Sequence, residues 1–328
     1  TRPEDLHERP VDIRKTNYWW IEVGGDQDSI HDTETCREEL LRIAFGVWDY
    51  IKNYSDLKNK YANWAIDWIG FLPGKRESRR YIGDHVLTQH DIEAEGRFDD
   101  LVAYGGWTMD DHVPAGFHET GIGTTLHPAP SPFGIPYRTL YSRNITNLFC
   151  AGRNHSATHA GLSATRVMGT TSLMGQAVGT AAALAQDHGL SPRGVYEEKI
   201  SALQHRLMDD DCYLPWHKRP IPSLTEKARL EASEGDAAAL RSGIDRPVGE
   251  ADNGWACAKG GWTAYRFDQP EHVATARLVF DSDLERVDTN RDIRARNMRH
   301  FFPLDADRWE VPPAMTKAFR IEILNADG

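Results

Sequence analysis

Apolar residues recur at helical spacing near the start of the chain. Leu40, Leu41, Ala44, Phe45, Trp48 and Ile51 predict an amphipathic helix over about 36–52. Thr35-Cys36-Arg37-Glu38 has capping-box form, which makes Thr35 the expected N-cap. A second pattern, Leu57, Tyr61, Trp64, Ala65, Trp68 and Ile69, predicts another helix closed by Gly70. Its tryptophan stripe is assigned to the core rather than to a ligand platform. Residues 81–88 read as a strand. Residues 104–136, rich in Gly, Pro and His, read as a long ordered loop.

The next stretch is more regular. Residues 145–151 form a short apolar run ending at Gly152, the pattern of a buried parallel strand. Residues 170–186 predict a helix of small side chains, with Gly175 and Gly179 on one face for close approach to a sheet or ligand. Gly189 caps it, and Ser191-Pro192 open another helix that runs to about Met208. Asp209, Asp210 and Asp211, then Pro215, Pro220 and Pro222, mark a change of composition. Beyond it, residues 262–267 and 276–280 alternate like strands. The expected organisation is 1–145, 146–210, a linker over 211–224, and a β-rich part over 225–328.

Composition narrows the partners. The 328 residues carry 38 Lys+Arg against 49 Asp+Glu, a net charge of −11. That balance argues against a nucleic-acid binder, which needs a basic face. A few local arginines still suffice for a small anion. Four cysteines without a CxxC pair exclude a disulfide scaffold, and Cys150 reads as a buried thiol. No run of about 18 apolar residues occurs, so no membrane span is expected. The chain starts at Thr1 in a charged segment and stops just after an apolar run, which reads as a piece of a longer gene product. The compartment stays open.

The chemistry concentrates at 145–179. A strand ending in Gly152, a Gly/Ser/Thr-rich loop and a slim helix build an anion-accepting site. Glycine lets the backbone approach a ligand closely. The helix start at Gly169–Ser172 offers unpaired N–H groups and a partial positive charge. Ala151-Gly152-Arg153 and the run from Ala164-Thr165-Arg166-Val167-Met168-Gly169 through Ala185 resemble the FAD-dependent oxidoreductases of the glutathione-reductase type. There the strand ends in Gly-Asp or Gly-Glu; here Arg153 stands at the second position and can face a pyrophosphate instead. The resemblance implies FAD as cofactor, with Gly152, Arg153, Asn154, Met168, Gly169, Thr170, Thr171, Ser172 and Leu173 as its binding residues. The same run is similar to the Asn-Arg-Leu-Gly-x-Asn-Ser-Leu segment of succinate dehydrogenase and fumarate reductase flavoproteins, with Thr165 and Thr171 in place of Asn. By that similarity Arg166 grips a substrate carboxylate, and Thr171, Ser172 and Leu173 meet the flavin pyrimidine edge.

The likeness extends from about Tyr18 to Met208, including Trp68 to Arg80 and Gly134 to Leu140. No G-x-G-x-x-G is present: Gly24-Gly25 and Gly121-Ile122-Gly123 lack the pattern. The chain therefore resembles the second half of such a flavoprotein. Beyond Leu224 it is similar to a galactose-binding-like β-sandwich, on Ser242 to Pro247, Trp262 and Leu278-Val279-Phe280. The expected fold class is α/β, an α+β substrate-domain portion plus an FAD-domain strand–helix, with a C-terminal β-sandwich, both parts incomplete.

The candidate catalytic residues are Arg166, His159, His155 and Arg79. Arg79 and its neighbour Arg80 follow a charged turn that can enter a cavity. His155 and His159 are four apart but lack the Glu of H-E-x-x-H, so acid/base work near a flavin is expected of them rather than metal binding. Asp110, Asp111 and His112 read as surface loop. The expected function is hydride transfer between flavin and a small polar or anionic substrate, a sugar or a carboxylate, in a chain able to form a homo-oligomer. The alternative is a carbohydrate-associated binding protein with a vestigial flavin fold.

Overall fold

Two short strands that pair across 30 residues of chain organise the main core. β1 (Leu101–Gly105) runs antiparallel to β4 (Phe133–Pro136), with Ala103 opposite Ile135 and Gly105 opposite Phe133. The computed structural model describes residues 6, 9–121, 123–246, 248, 253–281 and 315–324. Between the two strands lie β2 (Met109–His112) and β3 (Thr124–His127), a second antiparallel pair. So residues 104–136 are a paired β region rather than a loop. The local pattern hides this because each strand is four or five residues long and its partner lies far along the chain.

α4 (Met168–His188) lies on β1, and α5 (Pro192–Asp209) lies on α4. Met174, Ala177, Ala181 and Leu184 of α4 meet Val195, Leu203 and Leu207 of α5 in the same buried cluster as Phe133 and Ile135. Alanines at the contact let the helix approach the strand closely. Gly175 and Gly179 lie on the other face, where an added Cβ would meet nothing within 4 Å. The glycine pair expected at a close contact thus faces open space. Both helix boundaries follow the sequence: Gly189 ends α4 at φ +65°, and Ser191 Oγ accepts the Gly194 N–H at 3.0 Å. Gly96 and Gly134 cross at van der Waals range, and a Cβ on either would collide with the other's backbone.

One buried ion pair holds the turn after β4. Asp100, 2% exposed, accepts from Arg138 Nε at 3.0 Å, Nη2 at 3.0 Å and the Arg138 backbone N–H at 3.1 Å. The Tyr137 hydroxyl donates to Pro192 O at 2.8 Å and ties the same turn to α5.

A second cluster gathers Leu6, Trp20, Ile43, Val47, Ile51, Tyr61 and Phe117. α1 spans Thr33–Asp49 and continues as a π-helical turn over Tyr50–Tyr54. Its N-cap is Asp32 rather than Thr35. The chain already turns at Asp28, whose Oδ1 accepts from Ile30 and His31, and Thr33 Oγ1 donates back to Ser29 O. The buried face is Cys36, Ile43, Val47 and Ile51, while Phe45 is exposed. The second expected helix does not form. Lys52 Nζ donates to the carbonyls of Tyr61, Ala62 and Trp64, capturing acceptors a helix would use. Trp64 and Trp68 lie on the surface, so the tryptophan stripe is not core.

Residues 81–88 are not a strand: the chain bends at Asp84 and His85 and makes one isolated parallel bridge, Leu87 beside Ala157. Thr88 then caps α2 (Gln89–Glu93) in a capping box with Asp91. Residues 145–151 are not a parallel strand. Ser142 Oγ accepts the Ile145 N–H in a surface turn, and only Phe149 bridges, antiparallel to Tyr141. Cys150 is buried, its N–H donating to Leu140 O at 2.7 Å. α3 (His159–Thr165) starts within what reads as loop, with Thr158 as cap.

After α5 come α6 (Ser223–Lys227) and the antiparallel pair β5 (Arg229–Ala232) and β6 (Thr263–Arg266). Residues 276–280 join no ladder among the described residues and are exposed. The fold is mixed α/β, and no β-sandwich is formed among the described residues.

Candidate functional site

α3 packs on β2, and this contact assembles the site. Arg166, the C-cap of α3, donates from Nη2 to Asp110 O at 3.0 Å, with Asp110 Oδ2 at 3.5 Å. Two residues later α4 begins. Its N-cap, Val167, supplies no side-chain acceptor, and Met168 is 82% exposed. The first N–H groups of a 21-residue helix therefore point away from any cap. Gly169 opens on empty space, and Gly152 sits at φ +86° with only Asn154 Oδ1 as near as 4.0 Å to an added Cβ.

Beside these elements is a hollow of about 310 Å³ lined by Gly74, Lys75, Arg76, Arg153 and Arg166. Burial, then the nearby Arg76 guanidinium, lower the pKa of Arg166. Asp110, Glu22 and Glu77 are the counter-charges. Glu22 Oε2 accepts from Arg76 Nη1 at 2.6 Å, and Glu22 Oε1 lies 2.6 Å from His112 Nδ1. His112 Nε2 lies 3.2 Å from Asp110 Oδ2, and the Arg76 guanidinium lies alongside the ring at 2.9 and 2.8 Å. Burial pushes the Glu22 carboxyl up, but His112 and Arg76 outweigh it and hold it below the usual range. Burial acts the same way on Asp110, and the Thr124 hydroxyl, His112 and Arg166 together outweigh it.

Asp110, Asp111 and His112 thus belong to strand β2 and to the site, not to a surface loop. Glu22, Lys75 and Arg76 join them unannounced. Arg76 stands in the same charged turn as Arg79 and Arg80, three residues before Arg79. Glu22 lies 90 residues from His112, and no local pattern links them.

His159, at the first position of α3, stands between two carboxylates. Nδ1 is 2.7 Å from Glu77 Oε2 and Nε2 is 2.9 Å from Asp111 Oδ1. The hydrogen bond to Asp111, helped by Glu77, raises its pKa against a smaller desolvation. A histidine with a raised folded pKa adds stability that is full below about 6.5. That stability is lost as pH rises through the folded value. Replacing His159 with Asn is therefore expected to destabilise the protein at pH 6 and to matter less at each higher pH. Urea midpoints of both proteins across pH 6–9 check this; a gap that grows with pH would contradict it.

His155 is fully buried. Thr165 Oγ1 donates to Gly161 O at 3.0 Å, so at 2.9 Å it accepts from His155 Nε2–H. Nδ1 is left as a bare acceptor with no partner, and Ser156 Oγ is buried without one as well. Burial, then the Arg80 charge, lower the His155 pKa to about 4. Arg79 is exposed and does not line the hollow. Arg80 pairs with Glu77. Along α4, Met168, Gly169 and Ser172 face outward, whereas Thr170 is buried and Leu173 packs against the core. Thr171 Oγ1 and Ser172 Oγ both donate to Met168 O, at 3.0 and 2.9 Å. The Asn154 carbonyl accepts from Tyr81 N–H.

Among the described residues no helix is long and apolar enough to cross a membrane. Comparison with known proteins gives one positive result. Residues 2–207 match the model of a family described as FAD dependent oxidoreductase. No curated protein and no solved structure matches the chain.

Proposed function

The chain belongs to the FAD dependent oxidoreductase family, its cofactor is FAD, and on that premise we propose that it moves a hydride between flavin and a small polar or anionic substrate. The supporting observation is the cationic hollow of Lys75, Arg76, Arg153 and Arg166 beside the uncapped start of α4.

The residues present suit the cofactor. The open backbone at Gly152 and Gly169, the free N–H groups of α4, and the unpartnered His155 Nδ1 and Ser156 Oγ all offer unspent polar capacity in one region. Gly152, Arg153, Asn154, Met168, Gly169, Thr171 and Ser172 are the residues that would hold it. Thr170 and Leu173 would act by fixing the helix start. The bound flavin supplies hydride acceptance and donation; the protein supplies position and electrostatics.

Arg166 has one face taken by the Asp110 carbonyl, which fixes the guanidinium and leaves its other N–H donors for a substrate anion. His159 keeps a proton shared between Glu77 and Asp111, and can release it when a substrate is reduced. His155 stays neutral in its buried site and acts as an acceptor at Nδ1. Arg79 remains available at the surface. A sugar or a carboxylate is the substrate class this polar rim favours.

Protein purified with added FAD and passed through a desalting column is expected to keep a flavin absorption band in the visible. Arg153→Glu is expected to lower the retained flavin at least about tenfold by placing a negative charge beside the site. Colourless wild-type protein would overturn the proposal.

A further inference from the structure

Residues 65–80 form neither helix nor strand, and no backbone group in them hydrogen-bonds to another group among the described residues. A stretch of this length without secondary structure is uncommon in a packed core and is a usual form of site lids. Its ends are fastened. Trp64 O accepts from Lys52 Nζ at 2.8 Å, and Tyr81 N–H donates to Asn154 O at 2.9 Å. Side chains pin its second half: Arg76 pairs with Glu22 at 2.6 Å, and Glu77 pairs with Arg80 and, at 2.7 Å, with His159. Between these ends the Phe71 ring rests against Arg37 of α1, its centre 4.8 Å from Cζ. Trp68, Phe71 and Leu72 are nevertheless 79%, 66% and 76% exposed, three large apolar side chains grouped in water. The same stretch leads straight into the hollow, where Gly74, Lys75 and Arg76 line the space beside Arg153 and Arg166.

We infer that residues 65–75 are a strap that closes over this hollow when FAD is bound, laying Trp68, Phe71 and Leu72 onto the filled site. The inference rests on the reading of the hollow as part of the flavin site, and adds how that site is shut. Closing gives up no backbone hydrogen bond and trades the Phe71–Arg37 contact for burial of apolar surface. Gly74 is the hinge beside the pin at Arg76, since an added Cβ there would meet nothing within 4 Å. At Gly70 a Cβ would meet only Trp68 and Leu72 of the strap itself. The apolar group and the wall of the hollow are one continuous piece of chain, which makes the filled hollow its occupant rather than a second copy of the protein. An apolar cover expels water from a space lined by four cations, and strengthens their hold on whatever they contact.

The test is hydrogen–deuterium exchange read by mass spectrometry on the 328-residue protein, with and without saturating FAD. Without FAD the amides of 65–75 are expected to exchange at the rate of unprotected backbone. With FAD they are expected to slow at least about tenfold as the strap closes. Chymotrypsin, which cuts after aromatic residues and leucine, is expected to nick the strap first in free protein and at least about tenfold more slowly in loaded protein. The triple variant Trp68→Ser/Phe71→Ser/Leu72→Ser alters exposed side chains only, so the urea midpoint of the FAD-free protein is expected to stay unchanged. It is expected to lose the FAD-dependent protection and to release FAD at least about fivefold faster.

Exchange over 65–75 that FAD does not change overturns the inference. Protection that the triple variant keeps also overturns it, and assigns the slowing to direct contact with FAD. Protection without FAD that grows with protein concentration assigns the apolar group to a second copy and overturns it as well. Colourless protein fails the proposed function and the strap with it, whereas coloured protein whose strap stays unprotected fails the strap alone.

Discussion

Asp100→Ala is expected to cost about 3 kcal/mol of folding stability, the lower part of the range for breaking a buried ion pair by removing one partner. Asp100 is almost wholly buried, and its two oxygens take three N–H donors from Arg138 alone. Removing the carboxylate strands a guanidinium that keeps only 30% exposure and rests over the Tyr196 ring. It also strands the Arg138 backbone N–H. The partial exposure of Arg138 lets water recover some of the loss, which sets the lower figure. Asp100→Asn keeps one acceptor and is expected to cost less. Urea unfolding followed by tryptophan fluorescence reads this as a lower midpoint at unchanged slope. A cost under about 1 kcal/mol would show that the turn after β4 is held by packing instead.

The second large effect is acid lability through His155. Its folded pKa is about 4, against 6.5 for an ordinary histidine. Between those values the unfolded chain binds a proton that the native protein refuses. Stability therefore falls as pH falls through this window, by up to about 3 kcal/mol from this group. His155→Gln keeps an N–H for Thr165 but cannot titrate, so it is expected to lose less stability between pH 7 and pH 4 than the wild type. Carboxylates with lowered pKa also lose their contribution in acid, equally in both proteins, so the difference isolates the histidine. Parallel acid curves for the two proteins would contradict the assignment. His159 titrates with the opposite sign and is fully protonated in both folded and unfolded states across most of this window.

What was readable before the fold was known was local. The end of α4 and the start of α5 are set by Gly189, Ser191 and Pro192, residues whose backbone preferences act within one turn. A contiguous run carried the family resemblance and drew Gly152, Arg153 and Arg166 into the proposed site; of these, Arg153 and Arg166 line the hollow. The strands β1 to β4 were not legible, since a four-residue strand is defined by a partner its own sequence does not name. Trp64 and Trp68 misled for a related reason. Helical spacing states which residues share a face only if the helix forms, and here the carbonyls of Tyr61, Ala62 and Trp64 accept from Lys52 instead.

The sequence by itself determined that the chain is acidic overall, that its cysteines are no scaffold, and that a slim helix follows Arg166. Only the tertiary structure decided what stands around the start of that helix. Pairing of β2 with β3 and packing of α3 on β2 bring Asp110 to Arg166 across 56 residues and Glu22 to His112 across 90. The physical reason is range: caps and glycines act through neighbours in the chain, whereas charge neutralisation acts through neighbours in space. Which arginines are paired is a property of the second kind.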